Sequence, residues 1–148
     1  MKIIIDSDFI SGLSNPDSVN YYQAISFINS LPEDTEICVS ILTIYEVQFG
    51  RFLDTDTERK ERVLKTLETM KSSFSIVNLS FDDSEIYGML KSQFKTKTGM
   101  SQDTLKRHNI DIALASVAIV NNCVIVSRDK IYTDHLQFLN PKLQYKVW

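Results

Sequence analysis

The chain opens with a run that narrows its possible folds sharply: Lys2-Ile3-Ile4-Ile5, followed at once by Asp6-Ser7-Asp8. Three consecutive β-branched residues suit a strand buried on both faces, and such strands occur mainly in parallel sheets covered by helices. In open sheets of this class, ligands bind in the crevice beyond the carboxyl ends of the strands. An acid directly after strand one therefore stands in the functional position, although Asp also ends strands and opens turns with no further role.

The same alternation runs along the chain. Val19, Tyr22, Ile25 and Ile28 recur at helical spacing and predict an amphipathic helix closed by Leu31-Pro32. Residues 36–40 read as strand two. Thr43 and Glu46 have the spacing of a capping box, which predicts a helix start there. Residues 58–72 put Val63, Leu67 and Met70 on one face against a dense mix of Lys, Arg and Glu, a helix with a solvated side. Residues 74–79 read as strand three, and Ser80 with Asp83 opens a helix that aligns Ile86, Leu90 and Phe94 and stops at Gly99.

Between Lys95 and Asn109 the residues are polar and without periodicity, so a loop that contacts substrate is expected there. Asn109 is expected to cap the next helix, which is apolar nearly all round yet carries Asp111 in its first turn. Residues 123–127 read as strand four, trailed by Arg128 and Asp129, and residues 143–147 as a fifth strand.

Strands alternating with helices predict one α/β domain over residues 1–148 with a mainly parallel sheet. At 43% hydrophobic and 24% charged residues, the composition is that of a globular chain that can bury its own core. A net charge of -3 argues against a protein that grips nucleic acid by bulk charge, but leaves room for a nuclease with local cations around an acidic site. No secretory pattern and no membrane-spanning run is visible, so a cytoplasmic protein with no membrane role is expected. Cys38 and Cys123 lie in apolar runs without the spacing of a zinc site and read as core residues.

Four acids hold equivalent places: Asp6 after strand one, Glu46 in the helix after strand two, Asp111 at the start of the apolar helix and Asp129 after strand four. Each alone is explained as a turn residue, a cap, a helix-dipole partner or a loop acid. In a parallel sheet, however, all four point at one edge. Carboxylates gathered there repel unless a cation binds, and oxygen ligands of this kind suit Mg²⁺ or Mn²⁺.

The residues also carry a resemblance. The apolar strand ending in Asp6-Ser7-Asp8, the set Ser40, Thr43, Glu46 and Gly50, and Asp111-Ile-Ala-Leu-Ala-Ser ahead of Val124-Ile-Val-Ser-Arg-Asp129 together resemble PIN-domain ribonucleases of the VapC type. VapC proteins are the toxins of bacterial toxin-antitoxin pairs. The resemblance spans nearly the whole chain. It implies a PIN-like three-layer fold with a five-stranded sheet in the order 3-2-1-4-5, Mg²⁺- or Mn²⁺-dependent cleavage of RNA, and inhibition by a cognate antitoxin protein. By position, Asp6, Glu46, Asp111 and Asp129 match the family's acidic cluster, with Asp6, Asp111 and Asp129 as metal ligands. In that strand order strand one separates Cys38 from Cys123, too far for a disulfide.

The departures are specific. Asp6-Ser7-Asp8 stands where the family usually has Asp-Thr-Asn, Lys130-Ile131-Tyr132 stands where a further acid is common, and the Arg often found directly behind the Glu is replaced by Arg51 about a turn beyond. Two other readings compete. Asp6-x-Asp8 also suits a haloacid-dehalogenase-like phosphatase with Asp6 as nucleophile, but the second acidic loop of that class is missing. A non-catalytic, partner-binding PIN-like domain would be marked by loss of one of the acids, and none is lost.

Among the basic residues, Arg51, Lys106, Arg107 and Arg128 are the candidates for holding an RNA backbone, whereas His108 and His135 read as solvated loop residues. The apolar face of Val63, Leu67 and Met70, with the aromatic-rich helices, predicts a homodimer and a groove for an antitoxin helix.

Overall fold

A computed structural model describes all residues from Met1 to Trp148. The strands are β1 (Lys2–Ile5), β2 (Glu36–Ser40), β3 (Ser75–Val77), β4 (Val124–Val126) and β5 (Gln144–Lys146). They form one sheet in the order β3-β2-β1-β4-β5, and every pairing is parallel. The expected order is therefore found, and β1 lies at its centre. Its neighbours on the two sides come from crossovers in opposite directions, which makes the carboxyl end of β1 the topological switch point.

Alternation along β1 decides the layers. Ile4 points to the side of Cys38, Leu90, Phe94 and Ile125, a core closed by helices α5 (Phe81–Thr98) and α7 (Asn109–Val120). Ile3 and Ile5 point to the other side, against Phe9, Ala24, Val39, Val47 and Leu67. That second core is covered by α1 (Ser7–Leu13), α2 (Val19–Asn29), α3 (Ile41–Leu53) and α4 (Thr57–Ser73). All three isoleucines are fully buried, as a both-faces strand requires. Cys38 and Cys123 are buried free thiols.

Several local expectations need correction. Helix α1 begins right after Asp6, whose carboxylate accepts from the Phe9 amide at 2.9 Å as an N-cap, so the DSD run does not make a loose turn. In α2 the buried position is Ala24, with Phe27 and Ile28 packed beside it, while Val19 and Tyr22 are exposed. Helix α3 starts at Ile41 with Ser40 as cap, and the Thr43 hydroxyl is buried without a partner, so Thr43 and Glu46 form no capping box. The expected box of Ser80 and Asp83 does form.

The polar stretch after Lys95 is mostly helical. Helix α5 runs on to Thr98, where Gly99 takes the left-handed conformation (φ 66°) that closes it, and α6 (Gln102–Lys106) follows, anchored by buried Leu105. Asn109 is the first residue of α7 and makes no cap; its side-chain oxygen accepts from the Tyr87 hydroxyl at 3.1 Å. After β4 a π-helical turn (Tyr132–Leu136) leads into the short α8 (Gln137–Leu139), a region with no helical signal in the sequence reading. Leu67 and Met70 are buried in the second core, so the α4 face expected at a dimer contact is not free. The exposed apolar face lies instead on α3, as Tyr45, Phe49, Phe52 and Leu53.

Candidate active site

The carboxyl ends of β1 and β4 lie side by side, with Ile5 paired to Val126, and the Asp6 amide extends the ladder by donating to the Val126 carbonyl at 3.3 Å. Asp6 is thereby fixed at the switch point by its backbone as well as by its cap. Beyond Val126 the chain turns through Ser127, whose buried hydroxyl accepts from the Asp129 amide at 2.9 Å and donates to the Asp6 carboxylate. One serine thus ties together the acids that follow two neighbouring strands. Asp129 in turn accepts from the Ile131 amide at 2.9 Å, which starts the π-helical turn.

Glu46 reaches the same place from α3, with the Ser7 hydroxyl donating to its carboxylate. Asp111 comes from the first turn of α7, where the Tyr132 hydroxyl donates to it and His108 Nδ1 stands 3.7 Å from its Oδ2. Asp111 feels the charges of the other three acids. Asp111 is pushed up from 3.8 to about 7, first by burial and then by the charges of Asp129, Glu46 and Asp6. Asp6 is pushed up to about 6, chiefly by burial, against hydrogen bonds from Ser127 and Phe9 that favour its charged form. Burial and the charge of Asp8 also raise Glu46. The Tyr132 phenol, buried among these carboxylates, is held far above its ordinary range.

The arrangement is an open cluster, since no three of the acids stand close enough together to enclose a metal ion as they are. Mg²⁺ does not require a cage: it keeps several waters and takes one or two carboxylates plus phosphate oxygens. A hard-oxygen donor set in which three carboxylates raise the proton affinity of a fourth, Asp111, and which is open on one side, fits such an ion.

The basic candidates divide. Arg51 lines a polar cavity that Glu46 also lines, together with Ser7, Ser11, Gly50 and Lys60. Lys106 pairs with Asp103 at 2.9 Å on the surface of α6, and Arg107 follows at its end, ahead of the helix that carries Asp111. Arg128 is engaged within the protein: it donates from Nε to the Trp148 carbonyl at 3.0 Å, from Nη1 to Asn20 at 2.9 Å and from Nη2 to Gln23 at 2.5 Å, and its guanidinium lies 3.5 Å over the Trp148 ring. That ring packs edge-on against Phe9 and so near Gly12 that a β-carbon there would lie 3.0 Å from it. Arg128 thus holds the Asp129 loop to α2 and to Trp148.

Sequence reasoning passed over Ser7, Ser127, Tyr132 and His108 at this site. Ser127 carried a signal, its place between a buried strand and Asp129. Both histidines pack edge-on against Phe94, at 5.5 and 5.3 Å between ring centres, which corrects their reading as solvated loop residues.

The solved structures similar to this fold include VapBC2 from Rickettsia felis bound to a promoter DNA fragment, at 21% identity and a TM-score of 0.74, covering 100% of this chain and 99% of that one. VapBC-1 from nontypeable Haemophilus influenzae matches at 18% identity and 0.72, covering 100% and 98%. VapC20 from Mycobacterium tuberculosis, a toxin that cleaves the sarcin-ricin loop, matches at 9% identity and 0.63, covering 89% and 93%. These likenesses establish the fold. No curated protein matches in sequence. The PIN domain family model matches residues 3–135, from the first buried isoleucine through all four acids to the π-helical turn, and the chain belongs to the PIN domain family.

Proposed function

We propose that this protein is a Mg²⁺- or Mn²⁺-dependent endoribonuclease and the VapC-type toxin of a toxin-antitoxin pair, acting in the cytoplasm. The observation that carries the reading is the convergence of Asp6, Glu46, Asp111 and Asp129 at the switch point, where burial raises the proton affinities of Asp6, Glu46 and Asp111, and the charges of the other three raise that of Asp111 further. Uncompensated crowding of this kind is costly in a merely structural site and useful in one that receives a cation. Membership of the PIN family favours a nuclease over the phosphatase reading, and the presence of all four acids favours catalysis over a binding-only domain.

In this reading Asp6, Asp111 and Asp129 would hold the ion, with Ser127 fixing the first and third and Tyr132 steadying the second. When bound, the ion supplies charge neutralisation at the phosphoryl group and activation of water for in-line displacement. Glu46, with raised proton affinity and oriented by Ser7, orients the attacking water and accepts its proton. Bases presented as a single strand would be splayed across the open side.

The partners follow from two features. The similar structures include VapBC complexes, which supports a cognate antitoxin. Tyr45, Phe49 and Phe52 on one side of α3 are each about two thirds exposed or more, an apolar face that supports contact with a second copy of the chain. No helix is long and apolar enough to cross a membrane.

The test is cleavage of single-stranded RNA by the purified protein. Fragments should appear in Mg²⁺, disappear in EDTA and return when Mg²⁺ is restored in excess. EDTA-resistant cleavage, or hydrolysis of a phosphomonoester in place of RNA, would overturn the proposal.

A further inference from the structure

The cavity beside Glu46 has a volume of about 260 Å³ and opens between α1, α3 and α4. Two of its lining residues, Arg51 and Lys60, are half-buried cations with no carboxylate within 4.0 Å. Local chemistry explains why they stay unpaired. Arg59 takes Asp54 through two nitrogens, at 2.8 and 2.9 Å, and also faces Asp56 at 3.8 Å, so the acids at this end of α4 are already neutralised. Arg51 is held in position by its Nε, which donates to Gln48 at 2.9 Å, and by the Phe52 ring 4.5 Å beneath its guanidinium. Its terminal nitrogens have no acceptor in the protein, and neither has the Lys60 ammonium.

Two unpaired cations lining one cavity make it electropositive and favour an anion there. The cavity is open beside Gly50, where an added β-carbon would meet nothing within 4 Å. We propose that this cavity is a subsite for a backbone phosphate of single-stranded RNA, one that flanks the phosphate being cut, with Arg51 and Lys60 as its two ligands. The inference rests on the nuclease reading of the acidic cluster and adds to it the side on which the strand runs: past Glu46, into the α1-α3-α4 groove, away from Asp129. A phosphate suits the cavity better than a carboxylate side chain, since Arg51 presents a planar edge and Lys60 a point charge to one polyanion.

Binding can be read without metal or turnover. A short fluorescein-labelled single-stranded RNA is titrated with protein in EDTA at several salt concentrations, and anisotropy gives the affinity. A lost phosphate contact should lower the salt slope by about 0.7, so R51Q/K60Q, which gives up one phosphate held by two ligands, should lower it by about 0.7 and weaken binding about 4-fold at 0.15 M salt. The charge-conserving R51K/K60R should keep the parent slope. The charge-matched pair K65Q/K71Q, farther along α4, should leave the slope unchanged. Gly50→Leu fills the cavity without touching charge, and it should weaken binding several-fold while the melting temperature holds or rises, because Leu is the better helix former.

Equal losses in R51Q/K60Q and K65Q/K71Q would mean diffuse attraction and would overturn the subsite. So would an unchanged slope in R51Q/K60Q, or full affinity in the Gly50→Leu protein. These failures are separate from failure of the nuclease reading: a parent protein that cuts RNA in Mg²⁺ while R51Q/K60Q binds normally loses only the subsite. A parent that neither binds nor cuts RNA loses both.

Discussion

Replacing Asp111 by Asn should make the metal-free protein more stable, with a pH signature that identifies the cause. The Asp111 carboxyl is held at about 7 instead of 3.8. A folded-state value raised above the unfolded one means that the cost is absent below about pH 4, grows as pH rises and is complete only above the folded value. At about 1.36 kcal/mol per tenfold change in proton affinity, the fully ionised site is destabilised by at most about 4 kcal/mol. The side chain is 27% exposed, and its three acidic neighbours can relax once its charge is gone, so about half of that, ~2 kcal/mol, is expected. Asn keeps the size and can keep the hydrogen bond from Tyr132.

For a chain of this length such a gain raises the melting temperature by about 4 to 8 °C. Thermal melts of parent and Asp111→Asn in EDTA at pH 5, 7 and 8 should show a gain that is about 40% of its full size at pH 5 and levels off between pH 7 and 8. Mg²⁺ should then raise the melting temperature of the parent and not that of the variant. An Asp that merely complements the N-terminus of α7 would give the opposite sign, a loss of about 0.3 to 1 kcal/mol on substitution. A destabilised variant, or a gain of the same size at every pH, would refute the crowding argument.

Glu46→Gln should abolish RNA cleavage while changing the melting temperature by less than about 2 °C, since Gln can still accept from Ser7 and no capping box is lost; a cleavage rate within tenfold of the parent would remove Glu46 from the chemistry. Arg128→Gln should destabilise the protein by about 2 kcal/mol, through loss of the contact with the Trp148 ring and of its fan of hydrogen bonds. Its metal-free RNA affinity should stay within about twofold of the parent's, as the guanidinium is already occupied, and a large loss of affinity at unchanged stability would return Arg128 to the RNA-binding set.

The sheet was legible because β1, β2 and β4 are each short, apolar and buried, and buried strands write themselves as continuous β-branched runs. Asp6 and Asp129 could be located because a parallel sheet sends every residue after a strand to the same edge, and Asp111 because it opens the helix that returns from that edge to β4. The helix that carries Glu46 was placed for the wrong local reason, since Thr43 turns inward and Ser40 caps the helix. What stayed hidden depends on contacts far apart in sequence. Nothing near Arg128 announces that its partners are Asn20, Gln23 and Trp148, and nothing in Lys95 to Asn109 except Leu105 signals that the stretch coils into helix. The free face of α3 was not singled out among the aromatic-rich helices because its aromatics sit among buried neighbours, Thr43 and Val47, so composition alone could not assign them to solvent.

The scatter of the acids along the chain also sets when a site can exist at all. During synthesis, at about 5 to 20 residues per second, the ribosome adds Asp129 ~6 to 25 s after Asp6. Throughout that interval β1 has only its β2 edge to pair with, and the loop that Ser127 ties to Asp6 has not been made. Even then the loop lacks the indole that Arg128 clasps until residue 148 is added. Until Asp129 is added, the growing chain therefore carries three of the acids and no finished cluster, and the contact that steadies the fourth waits on Trp148.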